Sequence, residues 1–437
     1  MSDLTAQEQL MLELINRARM DPAGEAKRFG IKLNEGVHNG DKISAGAKQV
    51  LAGNNDLLQA ANAHSDWMLD HDIFAHEETG GGTGTQPEDR MVAAGYGPLN
   101  GFTSGENISF RGSTNAIDLT KEIIRQHRDL FIDKGVDGRG HRLNILIEAF
   151  QEVGIGQEEG KFKSGGTNFN ASMVTQDFGK IGNNVFVTGV VYDDTKNDNF
   201  FTVGEETAGV TVTGSGGPSD TTGAGGGYAL LFNAGGPATV TFGGAVTVGF
   251  TIGASNIKLD LVNGTEVWTN ADIILASPNV TELHALGIET VDLSGSSNGE
   301  KIFGNKAANI LQGNGGTDTL DGGGGKDELH GGADADIFVF DDRDTGKTNA
   351  RADTIVDFIQ GADTIDLDPW DADSKKKNDQ DFEFIGTQKF HKDAGELRFM
   401  QDGGDTFIQG DTNGDGKADF VIRLNGAVNL VSTDFDL

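Results

Sequence analysis

The chain of 437 residues contains no cysteine, so it can form no disulfide and offers no thiolate for catalysis or for a zinc site. Basic residues are also few, because 34 Lys and Arg stand against 67 Asp and Glu, for a net charge of -33. A chain this acidic repels nucleic acid and anionic membranes, and we expect neither as a partner. Divalent cations are the natural counterions, since they relieve the repulsion between carboxylates.

Long apolar runs are missing as well. No stretch approaches the roughly 18 apolar residues that a membrane-spanning helix needs. The N-terminal segment has neither the basic region nor the apolar core of a signal peptide. We therefore predict a soluble protein without a transmembrane segment, whose export signal, if it is exported, lies elsewhere.

Three kinds of sequence follow one another along the chain. Residues 1–181 hold nearly all the helical periodicity, and residues 182–282 alternate Val, Thr and Phe between glycine-rich turns. The second pattern is typical of a small β-sandwich. The remainder is rich in Gly and Asp.

Residues 295–339 repeat with a period of nine. Glycine recurs at Gly295, Gly304, Gly313, Gly322 and Gly331, an acid or amide at Glu300, Asn309, Asp318, Asp327 and Asp336, and an apolar residue at Ile302, Leu311, Leu320, Leu329 and Phe338. A flexible glycine-rich linker would have no apolar residue in register. The pattern is typical of a parallel β-roll in which turn glycines and carboxylates bind Ca²⁺ while the apolar side chains stack inside.

We predict this β-roll over residues 283–342. Its calcium ligands would come from Asp318, Asp327 and Asp336 and from the turns of Gly313, Gly315, Gly322, Gly324 and Gly331. Glu300 and Asn309 at the equivalent position of the first two repeats argue against calcium there.

The N-terminal region carries several motifs in a fixed order. They are residues 16–19 (NRAR), 63–68 (AHSDWM), 105–107 (GEN), 140–145 (GHRLNI), 154–156 (GIG) and 176–179 (QDFG). Through these motifs, residues 7–179 resemble the CAP superfamily, also called the SCP-like family. The resemblance implies an α-β-α sandwich over residues 1–181, with a central cleft that holds two histidines and two acids and binds zinc in some members.

Carried over residue by residue, the resemblance implies a cleft of His76, Glu106, Glu122 and His141, all of them candidate zinc ligands. The position of Glu122 has two alternatives, Asp118 and His127, because an insertion at residues 133–139 precedes the last motif.

Another histidine of this region, His64, has a different interpretation. It shares the apolar stripe of a helix with Leu57, Ala61 and Met68, which favours a hydrogen-bonded core histidine over a ligand.

The C-terminal region resembles a second family. Residues 353–358 (DTIVDF), 361–367 (GADTIDL), 394–398 (AGELR) and 410–420 (GDTNGDGKADF) are similar to the C-terminal part of serralysin-type secreted proteases. The resemblance covers a β-rich segment, residues 343–437, and implies export by type I secretion machinery with an uncleaved C-terminal signal. It also implies folding in external calcium. The proteases' His-Glu-x-x-His zinc motif is absent from the chain.

Two further loops have calcium-like spacing. Asp411, Asn413, Asp415 and Asp419 are spaced as in an EF-hand, but Ile422 stands where that loop has glutamate, and a plain Asn-Gly, Asp-Gly turn explains the pattern equally well.

The other loop lies in the middle region, which resembles the B-type repeats of bacterial surface adhesins. That resemblance implies a calcium loop with Asp194, Asp198 and Glu205, although Lys196 occupies the third ligand position.

The sequence therefore predicts a multidomain secreted protein: a CAP-like α-β-α sandwich, a β-sandwich, a parallel β-roll and a β-rich C-terminal segment. We expect it to bind calcium and, through the CAP cleft, an extracellular lipid, peptide or cell-envelope ligand. The alternative is a metal-dependent extracellular hydrolase, such as a peptidase, with Glu106 or Glu122 as general base. A purely structural matrix component is a third possibility.

Overall fold

The computed structural model describes residues 3–79, 86–97, 102–232, 235–342, 344–378 and 380–437. Residues 1 and 2, with which the N-terminal segment begins, lie outside the described residues. The chain divides into two compact units, one of residues 1–244 and 251–264 and the other of residues 245–250 and 265–437. None of the described helices is both long and apolar enough to cross a membrane.

The first unit begins with helices around a four-stranded sheet. Its elements are α1 (Ala6–Met20), α2 (Pro22–Arg28), β1 (Ala52–Gly53), α3 (Asn55–His71), α4 (Pro87–Ala93), β2 (Thr103–Ser113), α5 (Leu119–Ile132), α6 (Gly140–Leu146), β3 (Glu152–Ser164) and β4 (Thr167–Lys180). The strand order is β1-β3-β4-β2, with β4 antiparallel to both β2 and β3. Helix α1 begins at a capping box in which Thr5 and Glu8 bond each other's backbone N–H groups.

Helices α3 and α5 cover opposite faces of this sheet. On β4, the Thr175 hydroxyl contacts Ser65 of α3, whereas the Ser172 hydroxyl donates to Gln126 of α5. Residues three apart on a strand point to opposite faces, so the helices lie on the two sides. The sheet is therefore the middle of three layers.

Two glycines of β3 allow α3 to approach the sheet closely. A Cβ on Gly154 would lie 2.1 Å from the carbonyl carbon of Leu57, and one on Gly156 would lie 2.4 Å from the backbone nitrogen of Asn62. Backbone atoms cannot move aside as a flexible side chain can. These contacts explain the glycines of the GIG motif.

The first unit continues into short β-strands. They are β5 (Val185–Tyr192), β6 (Thr211–Gly214), β7 (Ser219–Thr221), β8 (Gly227–Phe232), β9 (Gly236–Phe242) and β11 (Ile257–Val262), and β10 (Val246–Ile252) spans the division between the units. Within the unit, β5 pairs with β8 and β11, and β6 pairs with β7 and β9. Buried Lys258 of β11 lies 2.6 Å from Glu13 of α1 and 2.8 Å from Asp260, so an ion triad ties these strands to the helical part.

The second unit is built of short strands. They are β12 (Glu266–Thr269), β13 (Ile273–Leu275), β14 (Glu282–Ala285), β15 (Leu293–Ser294), β16 (Lys301–Phe303), β17 (Ile310–Gly315), β18 (Thr319–Asp321), β19 (Glu328–Ala333), β20 (Ile337–Val339), β21 (Asp353–Ile355), β22 (Thr364–Asp366), β23 (Glu383–Phe384), β24 (Glu396–Asp402), β25 (Asp405–Asp411), β26 (Phe420–Leu424) and β27 (Phe435–Asp436).

From β12 to β22 the strands alternate between two sheets in which the neighbours are parallel. The apolar position of every repeat is fully buried: Ile302, Leu320 and Phe338 stack in one sheet, and Leu311 and Leu329 in the other. Parallel pairing already begins at Glu266, ahead of the predicted start at residue 283. Val267 and Leu283 supply the same interior positions there without glycine-rich turns to mark them.

We expect Gly154→Ala to destabilise the first unit by about 2 kcal/mol or more, because the added methyl group overlaps the backbone of α3. The measurement is urea unfolding of the full chain followed by helical circular dichroism, to which this unit contributes the described α-helices. Gly40→Ala is the control, since a Cβ there meets nothing within 4 Å. Equal stability of the two variants would contradict the close approach.

Candidate functional site

His76 and Glu106 form the first half of a histidine-lined cleft. The His76 Nδ1 atom lies 2.7 Å from Oε1 of Glu106, whose side chain is buried at the start of β2. The other carboxylate oxygen accepts a hydrogen bond from the guanidinium of Arg90 in α4, which also donates to the carbonyl of His76 at 3.0 Å. Arg90 therefore fixes both members of the pair.

His141 and Asp133 form the second half. The Nδ1 atom of His141 lies 2.8 Å from Oδ1 of Asp133, and the His141 backbone N–H donates to Oδ2 at 2.9 Å. Asp133 ends α5 in the left-handed conformation, with φ of 54°, and its side chain is buried. The insertion before the GHR motif thus supplies the acid that orients its histidine.

The two imidazole rings face each other with centroids 6.5 Å apart and planes inclined by 28°. Each Nδ1 is held by a carboxylate, and within the described residues neither Nε2 makes a hydrogen bond. His76 is about half exposed, at 47%, so the cleft is open to solvent. Carboxylates that bond one ring nitrogen fix the orientation of the other, as outer partners do for metal-ligating histidines.

Among the described residues, the other candidate cleft residues have hydrogen-bond partners other than His76 and His141. Glu122 accepts a hydrogen bond from Arg125 one turn along α5, and Asp118 caps the start of that helix. The alternative candidate His127 is buried, with Nε2 3.0 Å from Glu25. Because both cleft carboxylates are bonded to histidine Nδ1 atoms, the geometry fits two oriented imidazoles better than a closed four-ligand zinc site. The zinc set stays a prediction.

A buried polar layer lies beneath His76. His64 is fully buried, with Nδ1 3.1 Å from Glu78 and Nε2 3.0 Å from the carbonyl of Ala75, so it is a hydrogen-bonded core histidine, as its helical position predicts. Asp177 of β4 pairs in register with Glu106, and burial raises the pKa of Asp177 well above its usual value. Asp177 stands in the QDFG motif and Arg90 in none of the motifs named above, and the sequence did not predict either role.

The side chain of Asn107, in the GEN motif, lies on the face of the sheet opposite that of Glu106. Its side-chain amide donates to the carbonyl of His141 at 3.2 Å, and its side-chain oxygen accepts from Asn144 at 2.9 Å. Asn144 also donates to the carbonyl of Glu106 at 3.0 Å. The two asparagines thus tie helix α6, which carries His141, to strand β2, which carries Glu106.

The predicted calcium residues Asp318, Asp327 and Asp336 form a ladder of carboxylates, each immediately before a parallel strand. Oδ1 of Asp318, Asp327 and Asp336 accepts the backbone N–H of Glu300, Asn309 and Asp318, in each case 18 residues earlier, at 2.8 to 2.9 Å. The ladder continues with Asp353 and Asp363, which accept from Asp327 and Asp336.

The second carboxylate oxygen of each predicted calcium ligand takes no part in this ladder. Oδ2 of Asp318, Asp327 and Asp336 is buried without a hydrogen-bond partner among the described residues. A Cβ on Gly313 would lie 2.3 Å from Oδ2 of Asp318 and 2.6 Å from the carbonyl oxygen of Gly331, so both oxygens border the space above that glycine. A carboxylate oxygen without a partner and a carbonyl oxygen around the same space fit a hard cation such as Ca²⁺.

The first two repeats are closed by protein groups instead. The carboxylate of Glu300 accepts hydrogen bonds from the backbone and hydroxyl of Ser296. The amide of Asn309 accepts from the Asn305 N–H and donates to the carbonyl of Val291 at 2.7 Å. The orphaned oxygens therefore occur in the three turns for which the sequence predicts calcium.

The predicted turn glycines Gly315 and Gly324 have ordinary φ values, and their neighbours Gly316 and Gly325 take the left-handed conformation, with φ of 97° and 147°. Asn314 and Gly323, on the other side of these two glycines, are left-handed too, with φ of 75° and 66°. The left-handed positions of the turns therefore flank the predicted ones.

The EF-hand-like loop folds around Asp411. This buried carboxylate accepts the backbone N–H groups of Asn413 and Gly414 through Oδ1 and that of Gly416 through Oδ2. Asp419 closes the loop by accepting from Thr412, while its Oδ1 lies 3.1 Å from Nζ of Lys347. A cation at this loop would compete with that lysine.

The adhesin-like loop is organised in a similar way. Asp194 accepts the backbone N–H groups of Asp198 and Asn199, and Glu205 accepts those of Lys196 and Thr202. Nζ of Lys196 lies 3.9 Å from Oε1 of Glu205. The structure thus places the lysine ammonium beside the predicted ligand, and calcium at both loops stays a prediction.

Burial makes the repeat carboxylates sensitive to pH. Desolvation raises the pKa of Asp318 to about 7 and that of Asp327 to about 8, whereas an unfolded aspartate titrates near about 4. The folded state therefore holds protons that the unfolded state releases. In excess EDTA, the free energy of unfolding of the second unit should fall as the pH rises from about 4 to about 8.

Urea unfolding at several pH values measures this dependence. The Asp318→Asn, Asp327→Asn double variant should show a flatter profile, because it lacks the two groups. Stability that rises over this pH range in the parent chain would contradict the prediction.

Two family models match the chain. Residues 12–178 match CAP, the cysteine-rich secretory protein family, and residues 243–436 match the C-terminal domain of the M10 serralysin peptidases. No curated protein matches the chain.

Solved structures show partial similarity. An extracellular protein containing a SCP domain, from Bacillus anthracis str. Ames, is 19% identical over 39% of this chain and 39% of its own, with a TM-score of 0.24. The R3 subunit of a mannuronan C5-epimerase from Azotobacter vinelandii is 25% identical over 35% of this chain and 80% of its own, with a TM-score of 0.26. The chain thus spans about two fifths of the length of the first.

The two family matches do not overlap, and they agree with the motifs at both ends of the sequence. The chain carries a CAP domain at residues 12–178 and a serralysin-type C-terminal domain at residues 243–436.

Proposed function

We propose that the protein is a secreted, calcium-dependent binding protein whose CAP domain holds a polar extracellular ligand in the cleft of His76 and His141. The observation that carries the proposal is the pair of imidazoles whose Nδ1 atoms are fixed by buried carboxylates and whose Nε2 atoms are left for a ligand. The second unit would export and stabilise this domain.

The chemistry of the cleft narrows the class of ligand. When Nδ1–H is donated to a carboxylate, a neutral imidazole presents the Nε2 lone pair, which accepts a hydrogen bond. Two such acceptors on rings 6.5 Å apart suit hydroxyl or amide N–H donors. Peptide and cell-envelope ligands offer these groups, whereas the acyl chain of a lipid does not. Peptide or envelope ligands are therefore the preferred class.

Calcium is assigned to the turns of Asp318, Asp327 and Asp336. Their orphaned oxygens are buried among like charges, and neutralisation by Ca²⁺ would remove the cost of burying them. The turns would then form a calcium-loaded β-roll. The serralysin-type domain supports export by type I secretion machinery through a C-terminal signal, with folding completed where calcium is abundant.

Zinc has less support. Neither the family matches nor the similar solved structures indicate zinc, and the cleft carboxylates are already bonded to the histidines. Hydrolysis is therefore kept as an outcome of the experiment on the cleft.

Replacing one repeat carboxylate should weaken the response to calcium. We expect Asp327→Asn to raise the calcium concentration that gives half of the stabilisation by at least tenfold, because the amide lacks the charge of the orphaned oxygen. The measurement is the unfolding temperature of the full chain during a calcium titration. Asp402→Asn, at an exposed hairpin, should behave as the parent chain does. Identical titrations for all three chains would contradict the assignment.

Replacing both cleft histidines should abolish ligand binding. We expect the calcium-loaded full chain to bind members of a peptide array or a cell-envelope glycan array, and His76→Gln, His141→Gln to lose about tenfold or more in affinity through two lost hydrogen bonds. His71→Gln is the control, since this exposed histidine bonds only the carbonyl of Trp67 of its own helix among the described residues. Binding unchanged in the double variant would exclude the cleft.

The same preparations, incubated with a peptide library, test for hydrolysis. Cleavage by the parent chain that disappears in the double variant would overturn the binding proposal in favour of a hydrolase. An intact library leaves the binding function in place.

A further inference from the structure

The outward face of the first parallel strands carries two rows of polar and aromatic side chains. One row is Glu266, Glu282 and Lys301, and the other is Trp268, His284 and Phe303, in register across β12, β14 and β16. The residues between the rows, Val267, Leu283 and Ile302, are fully buried. Since side chains alternate along a strand, both rows face away from the interior.

His284 is held between two aromatic rings. Its centroid lies 4.2 Å from that of Trp268 and 4.5 Å from that of Phe303, with interplanar angles of 22° and 12°. Stacking on both faces fixes the plane of the imidazole and leaves its nitrogens at the edge. The Nε2 atom lies 3.2 Å from Oε2 of Glu282, two residues earlier on the same strand.

The carboxylate of Glu266 completes a set of three. Among the described residues, one group of three or more His, Asp or Glu side chains has all its ligand atoms within 4.8 Å of one another. That group is Glu266, Glu282 and His284. Small rotations of the two glutamates would bring all three atoms onto one ion. The in-register pairing of β12 and β14 places the carboxylates side by side.

We propose that Glu266, Glu282 and His284 form a binding site for one divalent transition-metal ion of the Zn²⁺ type. One imidazole nitrogen and two carboxylate oxygens are a ligand set that zinc accepts, with the fourth position left to water. The site would join strands β12 and β14. It is separate from the oxygen-lined turns of the repeats and from the CAP cleft.

The charges around the site favour a cation. Carboxylates directly opposite on neighbouring strands repel each other. Lys301 lies 3.2 Å from Oε1 of Glu282, but it is an exposed lysine, and the contact leaves Oε2 beside the histidine. Burial between the rings also lowers the pKa of His284, which favours the neutral ring that a metal requires.

A similar pair elsewhere in this unit provides a matched control. His330 lies 2.8 Å from Glu328, two residues earlier on β19, as His284 does from Glu282. The register neighbours of Glu328 are Ile310 and Thr354. This pair therefore offers two ligands of the same kind without a second carboxylate beside them.

The test is the number of Zn²⁺ ions retained by the full chain after equilibrium dialysis in millimolar calcium, measured by elemental analysis. His284→Gln and Glu266→Gln should each retain one ion fewer than the parent chain, and His330→Gln should retain the same number. Equal numbers in all four chains would overturn the proposal, as would the same loss in His330→Gln.

A second measurement locates the ion without changing a ligand. Cu²⁺ bound at His284 should quench the fluorescence of Trp268, whose ring stacks on that histidine. The difference in quenching between the parent chain and Trp268→Phe isolates this signal from the other two tryptophans. Quenching of the same size in both chains would place the ion elsewhere and overturn the proposal, whether or not the ligand variants fold.

Discussion

The carboxylate ladder is the constraint on which the second unit depends. Asp318, Asp327 and Asp336 each use one oxygen to hold the backbone of the residue 18 positions earlier and bury the other without a partner. The hydrogen bond to the backbone requires a carboxylate or an amide at that position. The buried oxygen without a partner requires a proton or a cation. The fold of the repeats is therefore linked to the ions around it, in a chain that already carries a net charge of -33.

The first unit has long loops and no disulfides, and buried arginines hold these loops in place. Arg19 is fully buried and donates to the carbonyls of Gln49, Ile145, Ile147 and Phe150, and buried Arg142 donates to those of Leu33, Glu35, Phe131 and Ile132. Arg19 thus ties the loop after α6 to the loop before β1. Arg142 ties the end of α5 to the loop after α2. Because His141 precedes Arg142, the position of the cleft histidine depends on the same contacts.

The sequence predicts the parts of the fold that repeat or that stand in motifs. The interior positions Ile302 to Phe338 follow from their spacing. The CAP resemblance names both His76 and Glu106, whose side chains lie 2.7 Å apart. The sequence did not predict a role for Asp133, because it stands as the first residue of a loop insertion. Its left-handed backbone conformation turns the carboxylate toward His141. The continuation of the ladder was not predicted because its spacing changes to 26 and 27 residues at Asp353 and Asp363.

The nine-residue period alone underestimates the number of parallel strands at both ends of the repeats. Before the repeats, β12 and β14 keep the buried apolar position but replace glycine turns with other residues, so their outward face is free to carry Trp268, Glu282 and His284. Within the repeats, hard oxygens form a donor set that suits calcium. On β12 and β14, an imidazole nitrogen joins two carboxylates, which is a donor set that suits a softer ion. One architecture can thus separate two classes of cation by the residues that it places at its turns and on its outward face.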